Sequence, residues 1–219
     1  HRIGRAFAWA LSAILIGLVL FVAGNKFSQR AWPLAEFGAG FSPFMYPVKA
    51  ADFVEQHNLA GRGFNNIGIG GYLIWRGGGA RRAFIDGRLE VHGREFYTEY
   101  IRVLQAPRFW EELASKYDIE YVILQYTMGD TLSLIQHLHD SSGWALVYFD
   151  ETTCIYVKRG GANQSIIELC ESSVKQGLAH AEREGMGIRR RQPAGSSAPW
   201  HSTIPFGLIH RGVFLSVVG

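Results

Sequence analysis

Short apolar runs typical of buried strands alternate along the middle of the chain with segments whose apolar residues recur every three or four positions. This alternation predicts a compact α/β domain over residues 47–159, with a mainly parallel sheet and an antiparallel hairpin at its edge. The predicted helices cover 48–57, 95–104, 109–117 and 131–139, and the predicted strands cover 63–65, 83–85, 119–126, 144–149 and 153–158.

Three local patterns add detail to this domain. Residues 119–126 form an almost unbroken apolar run, which is typical of a central strand covered on both faces. The short polar link Asp150-Glu151-Thr152 separates the last two predicted strands and indicates a β-hairpin. Asp130 stands directly before the helix predicted at 131–139 and is a candidate cap for it.

The strongest apolar signal precedes the domain, in residues 7–24, which carry no charge over about eighteen positions. This length reaches the lower limit for crossing a bilayer, so segment 1–24 is interpreted as one transmembrane helix. A cleaved signal peptide is the alternative, although its apolar core is usually shorter and is followed by a clear cleavage site. Arginines precede the run, and Lys26 and Arg30 follow it, so the charge bias leaves the orientation open.

Aromatic residues and prolines fill segment 25–46, which predicts a connector at the membrane interface rather than a long helix. Pro47 then suits the first turn of the helix that opens the domain. After the domain, segment 160–219 is predicted to be a poorly structured tail, helical over 165–184 and disordered from Gly185 onward. Its abrupt change of character raises the hypothesis that the end of the chain is not native coding sequence.

Residues 65–93 concentrate glycine, aromatic side chains, arginines, an acid and a histidine around two short apolar runs. The run 83–85 ends at Asp86 and a glycine, a pair that favours a tight turn. Asp86, Arg88 and His92 would then lie just beyond the carboxyl end of a strand, which is where open α/β sheets bind their ligands. The alternative is that these residues only form a tight connection.

The other apolar run of this stretch, 72–75, has two interpretations. It is short enough for a strand, but the glycines at both ends also allow one or two helical turns whose first amides face the same edge. The glycines before it follow part of a dinucleotide-binding pattern. That pattern needs a long helix after the glycines, so we reject a dinucleotide site.

Charge and cysteine usage exclude several classes of function. The net charge is only +3, and the arginines are concentrated in particular places rather than over a face, so nucleic-acid binding is poorly supported. Cys154 and Cys170 lack the spacing and the neighbouring histidine of a metal site, so neither a metal nor a cofactor is predicted. We interpret them as free thiols, with a disulfide as the alternative outside the cytoplasm.

A family resemblance is carried by Tyr46-Pro47, by Gly70-Gly71-Tyr72-Leu73-Ile74-Trp75-Arg76 and by Phe84-Ile85-Asp86-Gly87-Arg88. With the apolar helix and aromatic connector before them and the hairpin after them, these residues resemble the C-terminal portion of bacterial multi-pass membrane glycosyltransferases of the GT-C class. The class includes protein mannosyltransferase-like and arabinose transferase-like groups, which use polyprenyl-phosphate sugars. A more distant similarity to oligosaccharyltransferase catalytic subunits favours a helix at 72–76, although the paired Trp and the Asp of their motif are missing here.

The resemblance implies that this chain supplies the extracytoplasmic domain of such an enzyme at the bacterial inner membrane. In that class the catalytic acid and the helices that bind the lipid-linked donor lie earlier in the chain. The resemblance therefore implies no catalytic residue here. The implied partners are membrane lipid, a lipid-phosphate-linked sugar and a glycan or protein acceptor.

The candidate binding residues are the aromatic and charged side chains of 65–93 nearest the predicted turn: Asp86, Arg88, His92, Tyr72, Trp75 and Arg76. The arginines would attract the donor phosphate, because a guanidinium matches phosphate oxygens in bidentate fashion, whereas a solvated or lipid-facing surface is the alternative. A second hypothesis is a single-span membrane-anchored module that binds a glycan or a protein without catalysis. A third, a soluble hydrolase with Asp86 and Glu90 as its carboxylate pair, lacks an accompanying nucleophile or metal spacing.

Overall fold

The computed structural model describes residues 2–23, 45–78, 82–127 and 129–191. The chain divides into two compact units, His1–Tyr46 and Pro47–Gly219. Almost all of the connector predicted at 25–46 lies outside the described residues, as do residues from 192 to the end of the chain.

The N-terminal apolar run is helical, as helix α1 over Arg2–Ala23. Its large apolar side chains are exposed, from Phe7 and Trp9 at one end to Phe21 at the other. Among the residues that the structure describes, no helix meets the length and apolarity that crossing a membrane requires. The predicted transmembrane helix is therefore not supported.

The second unit alternates helices and strands, as the hydrophobic pattern predicts. Its helices are α2 (Val48–Gln56), α3 (Ile67–Arg76), α4 (Leu89–His92), α5 (Arg94–Gln105), α6 (Trp110–Lys116), α7 (Leu132–Asp140) and α8 (Gln164–Arg191), with a 3-10 turn at Pro107–Phe109. Its strands are β1 (Arg62–Asn65), β2 (Ile119–Gln125), β3 (Trp144–Phe149) and β4 (Thr153–Lys158). The ambiguous run 72–75 is helical, and the short helix α4 is an element that the sequence pattern did not predict.

The strands form a mixed four-stranded sheet in the order β1-β2-β4-β3. β1 and β2 are parallel, with Phe64 opposite Val122, whereas β4 is antiparallel to both β2 and β3. The α/β class is confirmed, but the mainly parallel sheet is wrong. The strand that lies beside β2 is β4, the second strand of the hairpin, rather than β3. The link between β3 and β4 is too short to join parallel strands, so β4 runs opposite to β3 and also opposite to β2.

Both faces of the sheet are buried, and the alternation along β2 shows it. Val122 packs in one core cluster with Trp110, whereas Tyr121 and Ile123 pack in the other with Val54. Successive side chains of a strand point to opposite faces, so an apolar run without alternation requires cover on both sides. The central position predicted for this strand is therefore confirmed.

Helix α8 continues the fold beyond the hairpin. It runs for 28 residues to Arg191, so the disorder predicted from Gly185 is wrong as far as Arg191. Ile167 and Val174 of this helix are buried, in the two different core clusters of the sheet. These buried residues show that the first part of α8 packs against the sheet, where its apolar face covers the hairpin.

Two smaller predictions have clear outcomes. The hydroxyl of Thr131 donates a hydrogen bond to the carbonyl of Gln125 at 3.1 Å, and no side chain caps the start of α7, so the cap role predicted for Asp130 is wrong. Cys154 and Cys170 are free thiols that belong to different core clusters, which confirms free thiols over a disulfide. Burial raises the pKa of both thiols.

Candidate functional site

The run 83–85, predicted to be a strand, has a side chain as its partner instead of a strand. The carboxamide of Asn65, buried at the end of β1, accepts a hydrogen bond from the Phe84 amide at 2.8 Å and donates one to the Ile85 carbonyl at 2.8 Å. A single side chain thus satisfies two backbone groups of this buried segment. The strand prediction is wrong, but the segment is still held beside the edge strand β1.

Packing on two sides keeps this segment in place. The ring of Phe84 lies 4.8 Å from that of Phe64, 4.9 Å from Phe96 and 5.2 Å from Tyr117, measured between centroids. On the other side, a Cβ added to Gly70 of α3 would lie only 1.9 Å from the Ile85 carbonyl oxygen. Only glycine permits so close an approach, so α3 fixes where the following turn begins.

The start of α3 is tied to two other elements. The amide of Ile67 donates to the hydroxyl of Tyr100 on α5 at 2.9 Å. The side-chain oxygen of Asn66 accepts a hydrogen bond from the Gln125 amide, at the end of β2, at 3.0 Å. Burial raises the pKa of Tyr100, so its phenol stays neutral. These contacts tie the start of α3, which lies before the run 72–76 where the sequence predicted a helix, to α5 and to the end of β2.

Asp86 builds the turn with its own carboxylate. Its Oδ1 accepts from the Arg88 amide at 2.8 Å and from Arg88 Nε at 3.0 Å, and its Oδ2 accepts from Arg88 Nη2 at 2.8 Å. The Asp86 side chain is 5% exposed, whereas that of Arg88 is 63% exposed. The hydrogen bonds from Arg88 hold the pKa of Asp86 well below its usual range. A buried, ionised carboxylate therefore orients an exposed guanidinium.

His92 closes the turn from α4. Its Nε2 accepts a hydrogen bond from the Asp86 amide at 3.3 Å and lies 3.6 Å from Asp86 Oδ2. Its ring stacks on that of Phe96, with centroids 5.3 Å apart and planes at 19°. An unprotonated Nε2 bonds the amide, whereas a protonated one would bond the carboxylate. The three side chains predicted for the turn, Asp86, Arg88 and His92, thus meet in one cluster, which we call the Asp86 turn.

The other three predicted residues lie on α3 and have other neighbours. Arg76 bonds to two acids of α2, with Nη2 2.6 Å from Asp52 and Nε 3.0 Å from Glu55. Tyr72 is buried, and its ring lies 5.7 Å from that of Trp75, which is 60% exposed. The guanidinium of Arg76 is therefore already neutralised, and Trp75 is the residue of this group that offers an exposed aromatic face.

The residues that hold the site together are not among those that the sequence pattern predicts. Asn65 and Asn66 are adjacent at the end of a predicted strand, and a carboxamide offers both a donor and an acceptor to a neighbouring backbone. Asp52 and Glu55 are three positions apart on a predicted helix, which places them on the same face. Both patterns are visible in the sequence. The adjacent asparagines indicate side chains that hold a neighbouring backbone segment, and the paired acids indicate a binding place for a cationic side chain.

The group that the Asp86 turn exposes to solvent is the guanidinium of Arg88. Among the described residues, no group of three or more His, Cys, Asp or Glu side chains is placed to hold a metal ion. The two carboxylates of the hydrolase hypothesis have different surroundings, since Asp86 is buried and bonded to Arg88, whereas Glu90 is exposed on α4. An exposed guanidinium held by a buried carboxylate presents its remaining donors to an anion.

Comparisons with protein families, with curated proteins and with solved structures found no match to this chain. The resemblance to GT-C glycosyltransferases therefore rests on the residues that carry it.

Proposed function

We propose that this chain provides a non-catalytic, extracytoplasmic α/β domain to a membrane glycosyltransferase that uses a lipid-phosphate-linked sugar. The observation that carries the proposal is the bidentate bond between Asp86 and Arg88. It occupies the buried acid of the site and leaves a guanidinium exposed, which suits a residue that binds an anion. The proposal agrees with the resemblance, in which the catalytic acid belongs to an earlier part of the chain.

The exposed apolar surface of α1 supports the membrane part of this proposal. Large apolar side chains are exposed along the helix, including Trp9, Ile14 and Leu18. A helix that is apolar all round is stable only against an apolar surface, either lipid or other apolar helices. We accordingly propose the bacterial inner membrane as the location, with the second unit on its extracytoplasmic side.

Arginines around the Asp86 turn support a phosphate-bearing partner. Arg82, Arg88 and Arg94 are exposed, and a guanidinium binds phosphate oxygens through paired hydrogen bonds. Arg76 contributes less to this proposal, because two acids pair with it and its side chain is 34% exposed, whereas Arg88 pairs with one acid and is 63% exposed. The donor lipid phosphate is the proposed partner, and a glycan or a protein is the proposed acceptor.

The first test is to sequence the gene on both sides of this reading frame. We expect an upstream frame that encodes a series of apolar spans with an acidic residue in the first outer loop. Membrane vesicles that contain the full-length protein should then transfer radiolabelled sugar from a polyprenyl-phosphate donor. A start codon directly before His1, or vesicles that transfer no sugar from any such donor, would contradict the proposal that this chain belongs to a glycosyltransferase.

A matched pair of variants tests the role of the turn in that assay. Arg88→Gln removes the exposed charge, whereas Arg62→Gln removes another exposed charge, at the start of β1. We expect Arg88→Gln to lower transfer about tenfold or more, because it loses a charge-assisted bond to phosphate, and Arg62→Gln to leave it unchanged. Equal sugar transfer by the two variants would show that the Asp86 turn takes no part in the transfer reaction.

One observation favours a second function, a membrane-anchored module that binds a glycan without catalysis. Trp75 is 60% exposed beside the ring of Tyr72, and an exposed indole face can stack on a sugar ring. Glycan binding that is lost in Trp75→Ala, by a protein that transfers no sugar, would favour this module over the enzyme.

A further inference from the structure

One nitrogen atom of His92 lies within reach of two groups of opposite polarity. Its Nε2 is 3.3 Å from the amide nitrogen of Asp86, which donates to it, and 3.6 Å from the carboxylate oxygen Oδ2 of the same residue. A neutral ring can accept from the amide, whereas a protonated Nε2 is a donor and can bond only the carboxylate. The protonation state of His92 therefore selects between two contacts that are both close to the ring.

Helix α4, which carries His92, is held mainly by this side chain. No residue of α4 is buried, and the side chains of Leu89 and Val91 are exposed. The His92 side chain is 19% exposed, and its ring stacks on that of Phe96 at the start of α5. A segment with few buried contacts moves at a low cost in free energy. Helix α4 can therefore follow a change in the bonding of His92.

The charged groups near His92 decide what its protonation does. Those on the segment before α4, on α4 itself and at the start of α5 are carboxylates and guanidiniums: Arg82, Asp86, Arg88, Glu90, Arg94 and Glu95. Histidine is the side-chain type here whose charge ordinarily changes between about pH 5 and pH 8. Arg88 Nη2 bonds Asp86 Oδ2 at 2.8 Å, and a protonated His92 would approach the same oxygen. Protonation thus changes the Asp86 turn from neutral to net positive, with two cations beside one carboxylate.

We propose that the Asp86 turn is a pH-sensitive anion site, in which protonation of His92 strengthens the binding of a tetrahedral oxyanion to Arg88. With a neutral ring, Asp86 balances the charge of Arg88. With a protonated ring, the two cations share that carboxylate, so an anion at Arg88 meets a net positive cluster. The coupling is reciprocal, and a bound anion therefore favours the protonated ring. This inference rests on the proposed function for its natural anion, the lipid-linked phosphate, whereas the switch depends on the geometry of the turn.

The test is a titration of the full chain with sodium sulfate at constant ionic strength, followed by NMR of the Arg88 Nε–H signal. Sulfate is a tetrahedral oxyanion whose own charge does not change over this pH range. We expect it to bind about fivefold more tightly at about pH 5.5 than at about pH 8. Without sulfate, the Asp86 amide signal should shift together with the His92 ring signals as pH changes, because that amide loses its acceptor. Equal sulfate affinity at both pH values, no sulfate binding, or an Asp86 amide that does not follow the ring would overturn the proposal.

Two histidine variants make the test specific to His92. His92→Gln keeps an acceptor for the Asp86 amide but carries no charge at any pH, and His180→Gln removes an exposed histidine from α8 as the matched control. We expect the sulfate affinity of His92→Gln to agree within about twofold at the two pH values, and His180→Gln to keep the wild-type difference. The same pH dependence in His92→Gln as in wild type would refute the role of His92. A dependence that only His92→Gln loses supports the switch whether or not membrane vesicles transfer sugar, and a pH-independent affinity overturns it even if they do.

Discussion

Asn65 and Ile85 are joined by a hydrogen bond from a side-chain amide to a backbone carbonyl, at 2.8 Å. The same carboxamide accepts from the Phe84 amide, so one side chain at the end of β1 holds the segment that leads into the Asp86 turn. The position of the turn relative to the sheet therefore depends on this buried side chain together with the packing of Phe84 and the close approach of Gly70.

Replacing Asn65 by Ala should destabilise the second unit by about 3 kcal/mol, because it leaves the Phe84 amide and the Ile85 carbonyl buried without partners. Urea unfolding measures this loss. Hydrogen exchange of the Phe84 amide should accelerate more than that of amides within β4, because the break is local. Asn65→Ala with wild-type stability and wild-type exchange at Phe84 would show that the brace is unnecessary.

Two adjacent glycines of α3 should respond in opposite directions to the same change. Gly70→Ala places a methyl group 1.9 Å from the Ile85 carbonyl oxygen and should cost about 2 kcal/mol or more. A Cβ at Gly71 meets nothing within 4 Å, so Gly71→Ala should stabilise the helix by about 0.5–1 kcal/mol. Thermal unfolding of the two variants compares them directly, and a similar change in both would contradict the close contact of α3 with the turn.

The Asp86 carboxylate should make stability depend on pH. Its pKa in the folded protein lies below the ordinary value of 3.8, so its ionised form is favoured by folding. This stabilisation is fully present above about pH 5, begins to fall near the ordinary pKa of 3.8 and is lost only as pH falls through the lowered pKa, well below that value. Asp86→Asn should therefore destabilise the protein by roughly 2 kcal/mol at pH 7 and by progressively less as pH falls from about 4 to about 2.

Glu90→Gln is the control for this pH effect, because Glu90 lies exposed on the neighbouring helix α4. Unfolding free energies of wild type and both variants, measured from pH 2 to pH 7, separate the two carboxylates. A difference between wild type and Asp86→Asn that stays constant over this range would show that the charge of Asp86 does not contribute.

His92 should carry its proton on Nδ1 when the imidazole is neutral. Its Nε2 lies 3.3 Å from the Asp86 amide and must accept that hydrogen bond, which leaves Nδ1 as the protonated nitrogen. Nitrogen-15 NMR of the histidine ring at pH 9, where a histidine is neutral, distinguishes the two tautomers. His139 on α7 is a suitable reference within the same spectrum. A protonated Nε2 at His92 would mean that the ring bonds the carboxylate instead.

Local pattern was sufficient for much of the fold. The apolar run of β2, the hairpin link at Asp150 and the helical spacing in α5 each depend on residues close in sequence, and each element lies where the pattern predicts it. The strand order depends instead on which hairpin strand packs beside β2. Hydrophobic pattern does not report that choice, because both hairpin strands are apolar enough to occupy the central position.

The candidate site was predictable only where its contacts are local. Asp86 and Arg88 are two residues apart, and the Asp-Gly turn signal placed them correctly together. The bonds from Asn65 to Ile85 and from Asn66 to Gln125 span 20 and 59 residues, and no local signal gives such a partner. The strand predicted at 83–85 failed for the same reason, since a buried apolar segment has the same sequence pattern whether its partner is a strand or a side chain.

The contact of α3 with the turn also has a consequence for finding related genes. Asn65 must supply a donor and an acceptor, Gly70 has no room for a methyl group, and Asp86 must receive three hydrogen bonds. Surface residues around them are free to diverge, so overall similarity between distant relatives can fall below recognition while these three persist. We expect the spacing of five and then sixteen residues between them to identify homologues in genomes where alignment of whole chains does not.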